Sequence, residues 1–340
     1  MPPLKSILII KPSSLGDIVH TLPAVAAIRD AHPRAEITWV VNPEWAPLLR
    51  GNRDINHVHL FPRSQFRLLG WSRGLLPWLR HTRQLRPDAA VDFQGLLRSA
   101  LIGRASGAPE FFGLSDAREG SRFFYKHVAR VDRDEHAVAR YMKLAQLLGG
   151  NPDAPLRFPL PTGDPLPRFD DYPPFVLLHP FSRGNGKSLT DRAVAEFCRA
   201  LSPVPVIIAG KSRFRLKAGD NCVDLSGQTT LLQLVGLIRA AHFIISVDSG
   251  PMHIAAAITD RLVSIHTWTD PRRVGPYNPN AWIWRGGELR QMGDFAPAGK
   301  LPKGRAFRRA DIPAVVNLVK ERWAAAPAAR IPPARGQLEM

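Results

Sequence analysis

The sequence predicts an α/β protein of two lobes, each built on a parallel sheet. Three observations carry this prediction. Short apolar runs alternate with helical patterns in both halves of the chain, the arrangement of repeated βαβ units. A dense run of prolines separates the halves. The chain has 340 residues, too long for one ordinary domain and suited to two.

The elements follow in order. Ile7–Ile10 is an unbroken apolar run that stops at small polar residues and one glycine, so it reads as a buried strand. A helical pattern starts near Asp17 and runs to about Ala31, with Ile18, Leu22, Val25 and Ile28 on one face. Glu36–Val41, Val58–Phe61 and Asp88–Asp92 read as further strands, and His136 opens another helical run. Between Pro152 and Pro174 lie Pro155, Pro159, Pro161, Pro165, Pro167 and Pro173, which predict an extended connector. The alternation then restarts: strand Phe175–His179, helix Asp191–Leu201, strand Val204–Gly210, helix Thr229–Ala241, and strands Phe243–Val247 and Leu262–His266. Asp311–Trp323 is a terminal helix with Asp311 as its N-cap. The expected division is therefore 1–160, 161–323 and a disordered Ala/Pro/Arg-rich tail, 324–340. Two such halves leave a cleft between them, and ligands of such sheets bind beyond the carboxyl ends of the strands.

Composition narrows the function. At 45% hydrophobic residues the chain can bury sizeable cores, yet no apolar stretch reaches membrane-span length. Met1–Lys5 lacks the apolar core of a signal peptide. Cys198 and Cys222 are isolated and lack metal spacing, which suits reduced structural thiols in a cytoplasmic protein. The net charge of +17 favours an anionic partner: nucleic acid, an anionic membrane surface or a charged substrate. An arginine-rich solvated surface accounts for the same number.

Two segments stand out as chemistry. The loop after the first strand leads into a helix start, which offers unpaired N–H donors and a positive dipole end, with Asp17 at its mouth as a candidate base. In Ser246-Val-Asp-Ser-Gly-Pro-Met-His253 a strand ends, Asp248, Ser249 and Gly250 turn, and a helix begins at Pro251. Its N–H groups can hold a phosphate, with His253 as a further donor. An ordinary capped turn is the competing reading. His179–Lys187 is a loop of small residues that ends in a lysine, a point charge suited to phosphate, but it lacks the two fixed glycines of a P-loop. Asp92 and Gln94 stand at a strand end, either bordering the cleft or capping the turn. Asp132-Arg-Asp134 is better explained by helix capping than by a metal, and no His/Cys cluster has metal-site spacing. Neither a hydrolase elbow nor a dinucleotide glycine fingerprint is present.

Together these segments resemble the ADP-heptose:lipopolysaccharide heptosyltransferases of glycosyltransferase family 9. The anchors are Lys11-Pro-Ser-Ser-Leu-Gly-Asp-Ile-Val-His-Thr-Leu-Pro23, Asp92-Phe-Gln-Gly-Leu96, His136-Ala-Val138, Ser246–His253 and Thr269-Asp-Pro271. The resemblance implies a GT-B fold of two Rossmann-like lobes, acceptor on the first and nucleotide-sugar on the second. It implies Asp17 as catalytic base, with Ser14 and Gly16 lining the reaction centre. Ser182, Lys187, Asp224, Asp248, Ser249, Gly250 and His253 fall at donor positions, Asp224 near the ribose. Arg63, Arg67, Arg98 and Arg118 fall where basic residues meet the anionic acceptor. The implied chemistry is inverting and metal-independent, without a cofactor. The implied partners are an ADP-sugar and an anionic lipopolysaccharide core at the cytoplasmic face of the inner membrane, without nucleic acid. Two departures touch the donor side. Ser188-Leu-Thr190 follows Lys187 where close relatives carry His-Trp-Pro, and His266-Thr-Trp-Thr269 stands where a glycine usually precedes Thr-Asp-Pro. They leave open a family-9 transferase with another nucleotide-sugar or polysaccharide. The charge leaves open a non-catalytic binder of nucleic acid or an anionic polymer, although no nucleic-acid module or aromatic–basic interleaving is present.

Overall fold

The computed structural model describes residues 4–62, 74–166, 172–211, 219–295 and 300–325. Arg63, Arg67, Pro167 and residues 326–340 of the expected tail lie outside them.

The first sheet joins β1 (Ser6–Ile10), β2 (Glu36–Val41), β3 (His57–Leu60), β4 (Ala89–Asp92), β5 (Glu110–Leu114) and β6 (His127–Ala129), all parallel, in the order β3-β2-β1-β4-β5-β6. The second joins β7 (Val176–His179), β8 (Val206–Ile208), β9 (Cys222–Asp224), β10 (Phe243–Val247), β11 (Leu262–Ile265), β12 (Trp282–Arg285) and β13 (Glu288–Gln291), in the order β13-β12-β11-β10-β7-β8-β9. Only β13 runs antiparallel to its neighbour. Counted from its own first strand, each sheet has the doubly wound order in which the winding reverses between the first and fourth strands. The loops after β1 and β4, and after β7 and β10, therefore open at the two reversal points.

Helices cover both faces. In the first lobe these are α1 (Leu15–Ala31), α2 (Leu76–Gln84), α3 (Leu97–Ser106) and α4 (Ala137–Gln146). In the second they are α5 (Asp191–Leu201), α6 (Leu231–Ala240), α7 (Gly250–Ile258), the single turn α8 (Pro271–Val274) and α9 (Ile312–Ala325). Strand alternation assigns the core: Ile7 and Ile9 of β1 face the cluster under α1 and α4, while Leu8 and Ile10 face the one under α3. The first cluster continues without a break into Leu177, Leu234, Val235 and Ile254 of the second lobe. α1 is consequently buried almost all round from Leu15 to Ile28, not on one face alone.

Several boundaries differ from the sequence reading. α1 begins at Leu15 with Ser14 as N-cap, so Asp17 lies inside its first turn. Asp311 stands immediately before α9, and its carboxylate takes both Arg305 Nη groups and the Arg308 N–H. Ala324 and Ala325 belong to α9 rather than to a tail. Residues 151–166 carry no helix or strand, as the prolines predict, but the connector is tied down. The Arg239 guanidinium donates to the carbonyls of Leu160 and Pro161, and Arg157 pairs with Asp30.

The lobes meet where α1 and α7 begin. A Cβ added at Gly16 would lie 2.4 Å from His253 Cδ2, and one added at Gly250 would lie 2.4 Å from Leu15 Cδ2. Real Cβ atoms do not come this close, so both positions require glycine for close approach of the backbone. Gly16→Ala is expected to destabilise the fold by about 1–3 kcal/mol through overpacking against the buried His253 ring. Calorimetry measures this; an unchanged melting temperature would mean that the two helix ends are not in contact.

Candidate active site

The loops after β1, β7 and β10 open onto one cleft of about 830 Å³, at the upper end of the range for small-molecule sites. Ser14, Gly16 and Asp17 line it from the first lobe. Ser182, Lys187, Asp248, Ser249, Gly250 and His253 line it from the second. The structure thus brings together residues up to 239 positions apart, the span from Ser14 to His253.

Asp17 is held as an anion. Its Oδ2 accepts the Ser14 N–H at 3.0 Å and the Ser14 hydroxyl at 2.8 Å. The Lys11 ammonium lies 3.8 Å from Oδ1. Burial pushes the Asp17 carboxyl up, but Lys11, the Ser14 donors and His253 outweigh it and hold it below the ordinary carboxylate range. Its side chain remains 38% exposed and opens on the cleft. Lys11 is buried at the end of β1 and donates to the Phe93 carbonyl at 2.9 Å and to the Tyr141 hydroxyl at 2.8 Å. Burial alone would lower the Lys11 ammonium; Asp17 and Tyr141 more than offset that and keep it above the usual lysine value.

In the second lobe Asp248 organises the cations. One carboxylate oxygen takes both Lys187 Nζ and the Thr269 hydroxyl at 2.7 Å. Having given its proton to Asp248, Thr269 must accept from His266 Nδ1 at 3.0 Å, and His266 Nε2 then accepts from Ser264 at 2.9 Å. Burial keeps this imidazole neutral, with a pKa of about 4. Asp248 is buried and is lowered, since His266, Lys187 and Thr269 outweigh its desolvation. Ser182 donates its hydroxyl to the Asp248 carbonyl at 2.8 Å, and Ser249 Oγ lies 3.2 Å from His179 Nδ1. Lys187 is thereby aimed across the mouth of α7, whose first N–H groups face the cleft.

Histidines fill the seam between the lobes. His20 Nε2, one turn after Asp17, lies 2.9 Å from His253 Nδ1. The His136 ring packs 5.0 Å from His20, and its Nε2 donates to the Gly275 carbonyl at 3.1 Å. Burial lowers all three, His136 to about 4, so the seam is uncharged near neutrality. At the rim, the Arg183 guanidinium lies 5.2 Å over the Trp45 ring and 3.9 Å from Glu44 of the opposite lobe.

Other expected residues lie elsewhere. Asp224 does not line the cleft; its carboxylate takes the Ser226 N–H at 2.8 Å and closes the turn after β9. The lining there consists of Gly210, Lys211, Gly227, Thr229, Thr230, Leu231 and Leu234. Arg98 lines a separate small pocket with Pro12, Ser13 and Gln94. Arg118 is exposed, and its backbone N–H donates to the Gly95 carbonyl. Asp92 is fully buried and caps its own loop, accepting from Ser99, Tyr125, Gln94 and Gly95. Asp134 lies 3.6 Å from Arg273, and His136, not Asp132 or Asp134, is the N-cap of α4.

Sequence reasoning quoted Lys11, His20 and Thr269 within its anchor segments but gave them no role, and it passed over Tyr141 and Arg140. Lys11 had a signal: a cation directly ending an apolar strand needs a buried partner. Tyr141 and Arg140 are brought in by packing and carry no local mark.

Chemically, the cleft sets an ionised, partly open carboxylate opposite a helix N-terminus and a lysine. Such an arrangement can set a base against a site for a departing phosphate. The family model for "Glycosyltransferase family 9 (heptosyltransferase)" matches residues 78–302, well over half of the chain. The chain belongs to glycosyltransferase family 9. This family-9 protein is 26% identical to the lipopolysaccharide core heptosyltransferase OpsX of Haemophilus influenzae, over 81% of this chain and 82% of that one. It is 28% identical to lipopolysaccharide heptosyltransferase 1 of Escherichia coli O18:K1:H7, over 84% and 94%. The E. coli heptosyltransferase WaaC with ADP superposes with a TM-score of 0.73 at 23% identity, covering 93% of this chain and 99% of that one. The two Rossmann-like lobes and interlobe cleft of this family-9 chain are the GT-B fold.

Lys11→Met removes the cation that favours the Asp17 carboxylate, so Asp17 protonation is expected to move to higher pH. A ¹³C carboxyl titration by NMR reads the direction, and an unmoved midpoint would mean that Lys11 does not set it.

Proposed function

We propose that this family-9 protein is an inverting, metal-independent heptosyltransferase that uses ADP-heptose and adds the sugar to the lipopolysaccharide inner core. The observation that carries the proposal is the Asp17 carboxylate facing Lys187, His253 and the N-terminus of α7 across a single cleft. In this reading Asp17 removes the proton from an acceptor hydroxyl as its oxygen attacks the anomeric carbon. The bond from that carbon to the diphosphate oxygen breaks, and ADP leaves from the opposite face. The transition state has oxocarbenium character. Charge developing on the diphosphate meets Lys187, the α7 N–H groups and His253, which do electrostatically what a metal does in other transferases. The adenosine moiety is assigned to the small and apolar lining from Gly210 to Leu234. Asp248 acts through Lys187, whose ammonium it positions with Oδ2, the oxygen that Thr269 also donates to.

The relatives' names support a heptose and a lipopolysaccharide acceptor, and the ADP in the superposed structure supports the nucleotide. No helix among the described residues is long and apolar enough to cross a membrane. We place the reaction at the cytoplasmic face of the inner membrane, with the protein attached peripherally. The division at residues 160 and 161, acceptor side before and donor side after, belongs to the same proposal. So does the acceptor role of Arg63, Arg67, Arg98 and Arg118.

Asp17→Asn is expected to keep ADP binding by calorimetry while transfer falls by about 10²–10⁴. Transfer near the wild-type rate would remove Asp17 as the base. Lys187→Met is expected to weaken ADP binding itself. Turnover with another nucleotide-sugar but none with ADP-heptose would replace the assigned donor and leave the mechanism standing.

A further inference from the structure

We propose that the outer face of α2, α3 and the adjoining 3₁₀ turn Ser121–Phe124 docks this protein on an anionic lipid bilayer. The inference deepens the reading of a lipid-anchored acceptor, and vesicle binding tests it without any sugar transfer.

Among the described residues, the face carries large apolar side chains that stay exposed. Phe123 is 91% exposed, Leu76 51%, Leu101 47% and Leu97 40%. They belong to one layer. α3 packs between α2 and the 3₁₀ turn, and all three cover the same face of the first sheet through Ala100, Ile102, Trp78 and Phe124. The side chains of this layer that remain exposed therefore point away from the sheet, in one common direction. Leu97, Leu101 and Arg104 follow the i, i+4, i+7 spacing of a single helical stripe.

The charge on this layer has one sign. α2 carries Arg80 and Arg83, α3 carries Arg98 and Arg104, and the turn carries Arg122, while none of the three elements holds an aspartate or glutamate. The nearby Glu119 accepts the Leu97 N–H at 3.2 Å. Leucines and a phenylalanine among arginines match the boundary between lipid headgroups and acyl chains, where apolar groups insert and cations meet anionic lipid. A single-stranded nucleic acid fits less well, because it is gripped by stacked aromatic rings and three of these four groups are aliphatic.

The position is also apt. α2 and α3, like α1, start at the carboxyl ends of their strands, so Leu76 and Leu97 lie at the end of the lobe where Asp17 opens on the cleft. A bilayer against this face would present a lipid-linked acceptor beside the reaction centre.

The test is co-sedimentation of the full-length protein with vesicles of phosphatidylcholine, with and without phosphatidylglycerol. The wild type is expected to partition onto the anionic vesicles alone. Phe123→Ser with Leu101→Gln is expected to weaken that partition about tenfold or more, with melting temperature and heparin affinity unchanged. Arg104→Glu with Arg122→Glu is expected to weaken both partition and heparin affinity. Transfer to a deacylated, water-soluble acceptor should be unaffected by Phe123→Ser, whereas transfer to an acceptor in vesicles should fall. Wild-type protein that ignores anionic vesicles would overturn the proposal, as would a Phe123/Leu101 variant that partitions normally. Single-stranded DNA binding that is lost in that variant while vesicle binding persists would reassign the face. Vesicle binding without heptosyl transfer would leave the face standing and sink the proposed reaction.

Discussion

Two helix N-termini, one from each lobe, abut with glycine on both sides of the contact, and the site depends on that abutment. Gly16 admits the His253 ring and Gly250 admits Leu15, so the first turns of α1 and α7 share one small volume. Each brings the positive end of a helix dipole. Lys11, Lys187 and Arg140 nearby are each matched by a carboxylate, Asp17, Asp248 and Asp116. The same contact joins the apolar core of one lobe to that of the other, so substrate groups bound on the two sides stay in register.

The Lys11–Asp17 and Lys187–Asp248 ion pairs resemble each other but differ in consequence. Lys187 sits 2.7 Å from Asp248, whose side chain is only 9% exposed, and Thr269 shares the same oxygen. The Lys187 ammonium is thus held in direct contact with its carboxylate through Oδ2. Lys11 stands 3.8 Å from Asp17 because its hydrogen bonds go to Phe93 and Tyr141. Asp17 is therefore kept ionised by a cation that does not occupy it, and Oδ1 faces open space. A carboxylate lowered this way is a weak base. In the proposed reaction, negative charge entering with the diphosphate opposes Lys11 and raises the proton affinity of Asp17. The neutral histidines of the seam matter as well, since protonating all three would set three more positive charges against helix ends that already repel.

Much of this was legible in the chain. Apolar runs such as Ile7–Ile10 and Phe243–Val247 mark strands buried on both faces, and the turn after each carries the small residues a helix start needs. β5 and β6 escaped because Glu-Phe-Phe-Gly-Leu is interrupted by glycine and His127–Ala129 is three residues long. α2 and α3 escaped because arginines break their periodicity. Asp92 and Asp224 show the limit of local reading. A carboxylate at a strand end can face a ligand or close its own loop, and both close their loops because Ser99 and Tyr125, and the Ser226 N–H, reach them first. Only tertiary packing decides that competition.

The departures from the family pattern can be weighed in the same terms. Ser188, where close relatives carry histidine, takes the Ser182 N–H and donates back to the Ser182 carbonyl, closing the loop on itself. Thr190 caps α5, and Thr267 donates to the Gly186 carbonyl at 3.3 Å. Gly186, at φ +70°, lies against Trp268, so the residues in place of the family's glycine support the very loop that presents Lys187. None of these contacts touches the Lys187–Asp248–Thr269 triad or the start of α7. The substitutions rebuild the loop behind the proposed phosphate grip and leave the contacts of Lys187, Asp248 and Thr269 in place. Trp268, the largest side chain the departures introduce, is 54% exposed, packs against the lysine loop at Gly186 and does not line the cleft, so it acts on the cleft only through that loop.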